Sequence, residues 1–470
     1  MTSPAPTVAS ASVSSRRATE MFLLIFAWGL SVAAYANAGY GVTNEWPPGL
    51  VGYAVTLGAY SLVAHLAVRQ FARYADPIVL PAVMLLQGLG LALIYRLDLD
   101  DKSPSERSFG PLAPRGDSGI QLIWAAIGIL LFVGVLVVVR DHRLLQRYTY
   151  TAGAAGLILL AIPALLPAQY SQVNGARIWI RFGGFSIQPG EFAKLLLIVF
   201  FAGYLVVKRD VLALASRRVL GVDLPRGRDL GPIILAWLAS LAVLIAERDL
   251  GSSLLFFGVF VVLLYVATER TSWLFFGFIM FVSGAYFAYQ NFGHVHRRVE
   301  IWLHPFKPEY VTDASYQLVQ GLFGFSTGGI LGTGLGQGRP NIVPYANTDF
   351  ILATGGEELG LTGLMAIIVL YGVIVHRGLR AALAARDSFG KLLAAGLAVI
   401  VALQVFVVVG GVTRLIPLTG LTTPFLSYGG SSLVANWALI ALLLRVSDAA
   451  RRPAPPPTPT TDAETLVVRP

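Results

Sequence analysis

Lys307, Asp313, Tyr316, Gln317, Arg339 and Asp349 crowd one polar stretch of this chain, between Arg297 and Gly360. The stretch reads RRVEIWLHPFKPEYVTDASYQLVQGLFGFSTGGILGTGLGQGRPNIVPYANTDFILATGGEELG. A carboxylate such as Asp313 can take a proton from an attacking hydroxyl. Lys and Arg can hold the charge of a departing phosphate. The stretch separates two apolar segments and is expected as a non-helical loop; loops of roughly this length, about sixty residues, are uncommon unless they carry function. Glycines at 332, 334, 336 and 338 lack the Gly-Lys-Ser/Thr of a P-loop and the strand and helix of a dinucleotide fold. They could bring backbone amides to a pyrophosphate, or simply make a flexible loop. Thr348 or Asp349 is placed to cap the next span. Glu357 and Glu358 enter that span, and one of them must face the bundle interior or a wet cavity.

Three further runs carry polar residues to span ends. In NGARIWIRFGGFSIQPGEFAKLL, Ile178, Trp179, Ile180, Phe182 and Phe185 alternate with Arg177 and Arg181. That suits an amphipathic segment lying in the membrane interface. Pro189 starts a helix with Glu191 in its first turn. Glu191 and Lys194, three apart, share a face. They form either a structural ion pair or, through Lys194 or Arg177, a phosphate contact. In ERDLGSS, Asp249 is placed to cap the following helix. In LTGLTTPFLSYGGSS, Thr419, Thr422, Ser427, Tyr428, Ser431 and Ser432 either pack helices closely or line a substrate groove. No Ser/His/Asp arrangement and no metal-ligand spacing appear.

The elements that must position these residues are membrane spans. Hydrophobic residues make up 55% of the chain, charged residues only 13%, and the mean hydropathy is +0.68. Soluble chains carry nearly twice that charge. The absence of cysteine excludes disulfides, thiolate metal sites and a cysteine nucleophile. The formal charge of +9 sits in alternate loops, as topology requires, so no nucleic-acid partner is expected. Segments near 21–41, 50–67, 77–95, 120–139, 149–166, 191–207, 231–246, 250–267, 272–290, 350–374, 390–411 and 427–446 are apolar enough to span. Arg16, Arg17, Arg69, Arg73, Arg140, Arg143, Arg147, Lys208, Arg209, Arg217, Arg218, Arg226, Arg228, Arg377, Arg380, Arg386, Arg445, Arg451 and Arg452 then fall on one side, the cytoplasm. Both termini lie there, and the 297–349 loop faces outward. No cleaved signal peptide is read before the first span. Residues 1–19 form a cytoplasmic tail, 20–447 the membrane domain, and 448–470 a disordered Pro/Thr-rich tail.

The runs NGARIWI, QPGEFAKL, RDLGSSL, YQLVQ, GTGLGQG, TDFILATGGEELG and TPFLSYGGSSL, over about residues 174–446, resemble the SEDS family of cell-wall polymerases (RodA, FtsW and the sporulation homologue). The YQLVQG and GTGLGQGRP runs and the basic loops look more like the RodA branch. The resemblance implies an all-α polytopic membrane protein: a ten-helix core, here with two extra N-terminal helices, and a long extracellular loop. It implies a peptidoglycan glycosyltransferase of the bacterial plasma membrane. The substrate would be lipid II, a disaccharide-pentapeptide on undecaprenyl pyrophosphate, and the partner a class B penicillin-binding transpeptidase. The family's essential aspartate sits in an Asp-Pro dipeptide that this loop lacks, and the role is carried to Asp313, with Glu309 next. Arg177, Glu191, Lys194, Lys307, Tyr316, Gln317, Arg339, Asp349, Glu358, Ser427 and Ser431 are the candidate substrate contacts. Mg²⁺ or Mn²⁺, held by Asp313 and a substrate phosphate, is a candidate ion; no organic cofactor is implied. A lipid II flippase and a non-catalytic scaffold are the other readings.

Overall fold

The computed structural model describes residues 16–101, 116–173, 176–182, 185–214, 217–219, 222–224, 238, 242 and 249–453. Backbone groups in lipid must satisfy one another, so the apolar segments fold as helices. They are α1 (Arg17–Thr43), α2 (Leu50–Phe71), α3 (Val79–Asp101), α4 (Asp117–Val138), α5 (Thr149–Leu165) and α6 (Pro189–Leu214). After them come α7 (Leu250–Thr268), α8 (Ser272–Asn291), α9 (Gly293–Leu303), α10 (Tyr316–Gly328), α11 (Ile351–Ala384), α12 (Ser388–Val412) and α13 (Gly430–Arg451). Among the described residues, 10 helices are long and apolar enough to cross a membrane, and α5, with 17 residues, is a shorter apolar helix. The expected span at 231–246, residues 238 and 242 apart, lies outside the described residues, as do most of both tails.

Packing separates core from rim. Of the apolar windows of α3 and α13, 89% is buried inside the bundle, against 6% for α8. α3 and α13 are therefore central, and α8 presents Phe275, Phe278 and Phe287 outward. Small residues let helices approach. A Cβ on Gly203 of α6 would stand 2.0 Å from Thr149 Oγ1 of α5, and one on Gly128 of α4 2.5 Å from the Trp437 ring of α13. α1 runs against α3, and α11 against α12.

The interfacial segment before α6 differs from expectation. It is not one amphipathic stretch but two antiparallel hairpins, β1 (Gln172–Val173) with β2 (Ala176–Arg177) and β3 (Ile180–Phe182) with β4 (Phe185–Ile187). The alternation of apolar and charged residues has the two-residue period of a strand. The 297–349 stretch also departs from a non-helical loop, because it holds most of α9 and all of α10. Leu318 and Val319 of α10 are buried, which gives that segment a helical face to pack.

Candidate functional site

Asp313 precedes α10, where Ser315 is the N-cap residue and makes no side-chain capping bond. The Asp313 side chain does not cap the helix. Its Oδ2 instead lies 3.2 Å from Arg297 Nη2, and the two side chains are 78% and 62% exposed. The carboxylate is thus open to an arriving hydroxyl. Nearby, Lys307 Nζ stands 3.6 Å from Glu300 and 5.7 Å from the Tyr310 ring centroid. Tyr316 opens α10 half-buried.

A second group of charges lies deeper. Asp249 caps α7 as expected, accepting from Ser252 N at 2.9 Å. Asp349 does not cap α11. Its Oδ1 accepts from Thr348 Oγ1 at 3.0 Å and faces Gln317 Nε2 at 3.5 Å, while the α11 N-cap is Phe350, with no side-chain bond. Gln317 spends its better bond on Pro344 O, at 2.9 Å. Arg298 of α9 feels the charge of both acids, and its Nη1 donates to Leu418 O and Thr419 O at 3.1 Å each. Burial pushes the Asp249 and Asp349 carboxyls up from their ordinary values, partly offset by their hydrogen bonds and by Arg298. Burial lowers Arg298, and the same two acids oppose that shift.

Glu191 and Lys194 form the structural pair. Their charged atoms are 2.6 Å apart with side chains 5% and 6% exposed, and Lys194 Nζ also donates to Gln404 Oε1 at 3.0 Å. That occupies the lysine from inside the bundle, leaving the phosphate-contact reading to Arg177, which is exposed on β2. Ser427 and Ser431 are buried and used internally. Ser427 Oγ accepts from Thr423 N, and Ser431 Oγ accepts from Gln188 N, both at 2.9 Å, so each hydroxyl holds a loop amide inside the protein.

In the glycine run the amides of Gly332, Thr333, Gly334, Gly336 and Gln337 all bond within the protein, which leaves few of them for an anion. α11 breaks at Gly360 (φ 68°, ψ −172°). Thr333 N and Gly334 N donate to the Glu357 and Glu358 carbonyls, while Leu361 N and Thr362 N donate to Gly329 O and Ile330 O. The loop thus completes the hydrogen bonding of a broken helix. The acids fasten it further: Glu358 Oε2 accepts from Gly336 N at 3.1 Å, and Glu357 Oε1 from Arg339 N at 2.7 Å. The Arg339 side chain is exposed. Glu358 is therefore an internal anchor, 1% exposed, rather than a substrate contact. Only glycine adopts the backbone angles at 360 without strain, and a Cβ there would sit 2.2 Å from Gly332 N. Gly360→Ala is expected to cost at least about 1–3 kcal/mol. Thermal unfolding of the purified protein in detergent checks this, and an unchanged midpoint would contradict it.

The residues missed from sequence are Arg298, Arg96 and Gln404. Arg96 and Gln404 carried a usable signal, a polar side chain within a span whose partner had to be sought. Arg298 stood unremarked beside Arg297. Among the described residues, no three His, Asp or Glu side chains gather as a metal site, and Asp313 stands with Arg297 alone.

The apolar helices define a multi-pass membrane protein that gathers charged groups around α9, α10 and the start of α11. The family model described as cell cycle protein, covering FtsW, RodA and SpoVE, matches residues 77–452. The chain belongs to that family. α1 and α2 precede the match, in keeping with two N-terminal helices added to the family core. The chain is 51% identical over 453 residues to the peptidoglycan glycosyltransferase RodA of Mycobacterium tuberculosis (strain ATCC 25618 / H37Rv), covering 96% of this chain and 94% of that one. It is 35% identical to a probable peptidoglycan glycosyltransferase FtsW of Geobacter metallireducens, over 70% of this chain and 84% of that one. A solved structure described as coordinating polymerization and crosslinking in a peptidoglycan synthase complex superposes with a TM-score of 0.63 at 25% identity, covering 81% of this chain and 99% of that one. The Thermus thermophilus rod shape determining protein RodA shares the fold, with a TM-score of 0.53 at 24% identity over 81% of this chain and 98% of that one.

Proposed function

We propose that this chain polymerises lipid II at the outer end of the bundle, with Asp313 as general base. The chain is a peptidoglycan glycosyltransferase. The observation that carries the site is the exposed Asp313 carboxylate beside Arg297, in a loop where Asp349, Glu357 and Glu358 are tied into the protein. The 4-hydroxyl of one lipid II attacks the anomeric carbon of the lipid-linked sugar on the growing chain. Asp313 takes the hydroxyl proton as the new C–O bond forms. The bond to the lipid diphosphate breaks, undecaprenyl pyrophosphate leaves with its electron pair, and the anomeric centre inverts. Arg177, Lys307 and Arg339, all exposed, are the cations for the leaving diphosphate. A divalent ion would rest on substrate phosphate, with Asp313 as its protein ligand, and no step requires it. An open cleft of about 460 Å³ lined by Trp302, Leu303, Leu322, Thr413 and Arg414 lies beside α9 and α10 and suits part of a lipid-linked sugar. The partner is a class B penicillin-binding transpeptidase, a reading supported by the synthase-complex neighbour.

The break in α11 favours a second reading, translocation of the lipid, since discontinuous helices mark transporters. Vesicles loaded with labelled lipid II separate the two. Glycan polymer supports the transferase, and lipid movement without polymer supports translocation.

The membrane is the bacterial plasma membrane and both termini are cytoplasmic, as the arginine-rich loops imply. In this cysteine-free background, a cysteine at position 312 is expected to react with an impermeant external reagent, and one at 217 to be protected. External labelling at 217 would reverse the topology.

A further inference from the structure

Arg96 lies in α3, 2% exposed, and its guanidinium ties three separate parts of the chain together. Nε donates to Glu358 Oε1 of α11 at 2.7 Å, Nη2 donates to Gly338 O of the glycine run at 2.8 Å, and Nη1 lies 2.7 Å from Asp100 Oδ2. The other oxygen of Glu358 holds Gly336 N. Arg96 is thus the charged fastening between α3 and the loop that completes the broken helix.

What it fastens is one block. α10 packs on the outer half of α11 at contact distance, because a Cβ on Gly328 would lie 2.0 Å from Gly356 O and one on Gly321 2.7 Å from the Phe350 ring. Gln317 of α10 meets Asp349 at the start of α11. Asp313 stands just ahead of α10. The block comprising α10, the glycine run and residues 351–359 is cut from the inner part of α11 by the Gly360 break. Backbone bonds from Leu361 N and Thr362 N to Gly329 O and Ile330 O tie it to the inner part of α11. Side-chain contacts set it against other helices: the Arg96 fork is a charged one on α3, and the bond from Gln337 Nε2 to Gly41 O, at 2.8 Å, a lighter one on α1.

We infer that Arg96 is a positioning residue for the transfer reaction: through Glu358 and Gly338 it sets the block that carries Asp313. This rests on the reading of Asp313 as base. A misplacement of about 1 Å at a reacting group costs on the order of 10²-fold in rate, so kcat should fall by about that factor while KM for lipid II changes little.

Removing Arg96 alone would strand Glu358, so the first variant is the double Arg96→Met/Glu358→Gln, which removes both buried charges. The second is Arg96→Lys, which keeps a charge for Glu358 but cannot span Gly338 and Asp100 as a planar fork. Spin labels at cysteines replacing Glu45 and Ser326, both exposed, report the block's position by their distance distribution, independently of activity. The expected result is a shifted or broadened distribution in both variants, with kcat reduced about 10²-fold in the double variant and less in Arg96→Lys. An unchanged distribution in both, or an unchanged kcat with a shifted distribution, would overturn the assignment. If the unsubstituted chain makes no polymer, the function reading fails, whereas the label distances still report whether Arg96 places the block.

Discussion

Asp313→Asn is expected to abolish detectable glycan polymer while the protein still folds and still binds lipid II. Loss of a general base typically removes about 10²–10⁴-fold in rate. The substitution changes charge and proton affinity but hardly shape. The side chain is 78% exposed, so no buried bond is lost. A cap role is excluded by geometry, because the α10 start takes no side-chain bond. An exposed pair such as Arg297–Asp313 contributes little to stability, and the thermal midpoint should stay near that of the unsubstituted chain. Gel analysis of polymer from the purified variant, alongside lipid II binding, checks this. Near-normal polymer would remove Asp313 from the mechanism and move the test to Glu309, which is also exposed.

The second large effect is on stability. Glu191→Ala and Lys194→Ala each leave an uncompensated buried charge, costing about 3–5 kcal/mol. The losses should be unequal. After Glu191→Ala, Lys194 keeps Gln404 Oε1 at 3.0 Å, whereas after Lys194→Ala, Glu191 loses its cation and remains near the buried Asp249 carboxyl. Lys194→Ala should therefore unfold at the lower temperature. The double variant should lose less than the sum of the two. Thermal unfolding in detergent measures all three, and strictly additive losses would show that the pair does not interact.

The parts legible in the sequence were those set by local rules. Among the described residues, span positions followed from apolar length, with the 149–166 segment a shorter helix, and helix starts at Pro189 and Asp249 from capping chemistry. The Glu191–Lys194 pair followed from its three-residue spacing. What was not legible depends on distant parts of the chain. The glycine run was open between an anion cradle and a flexible loop, because its hydrogen-bond partners, Glu357 and Glu358, lie some twenty residues on and accept only because α11 breaks. Glu358 looked like a substrate contact because its partner, Arg96, comes from α3, 262 positions away. Arg298 was passed over because nothing local tells which of two adjacent arginines turns inward. For Ser427 and Ser431, nothing local showed their acceptor roles to Thr423 N and Gln188 N.

Polymerisation by the purified full-length chain, with lipid II as the sole glycosyl substrate, tests the central claim most directly. The account predicts a ladder of glycan strands whose length grows with time, with undecaprenyl pyrophosphate released as the strands form, and neither product from Asp313→Asn. No polymer from the unsubstituted chain, either alone or with a class B transpeptidase partner added, would contradict it.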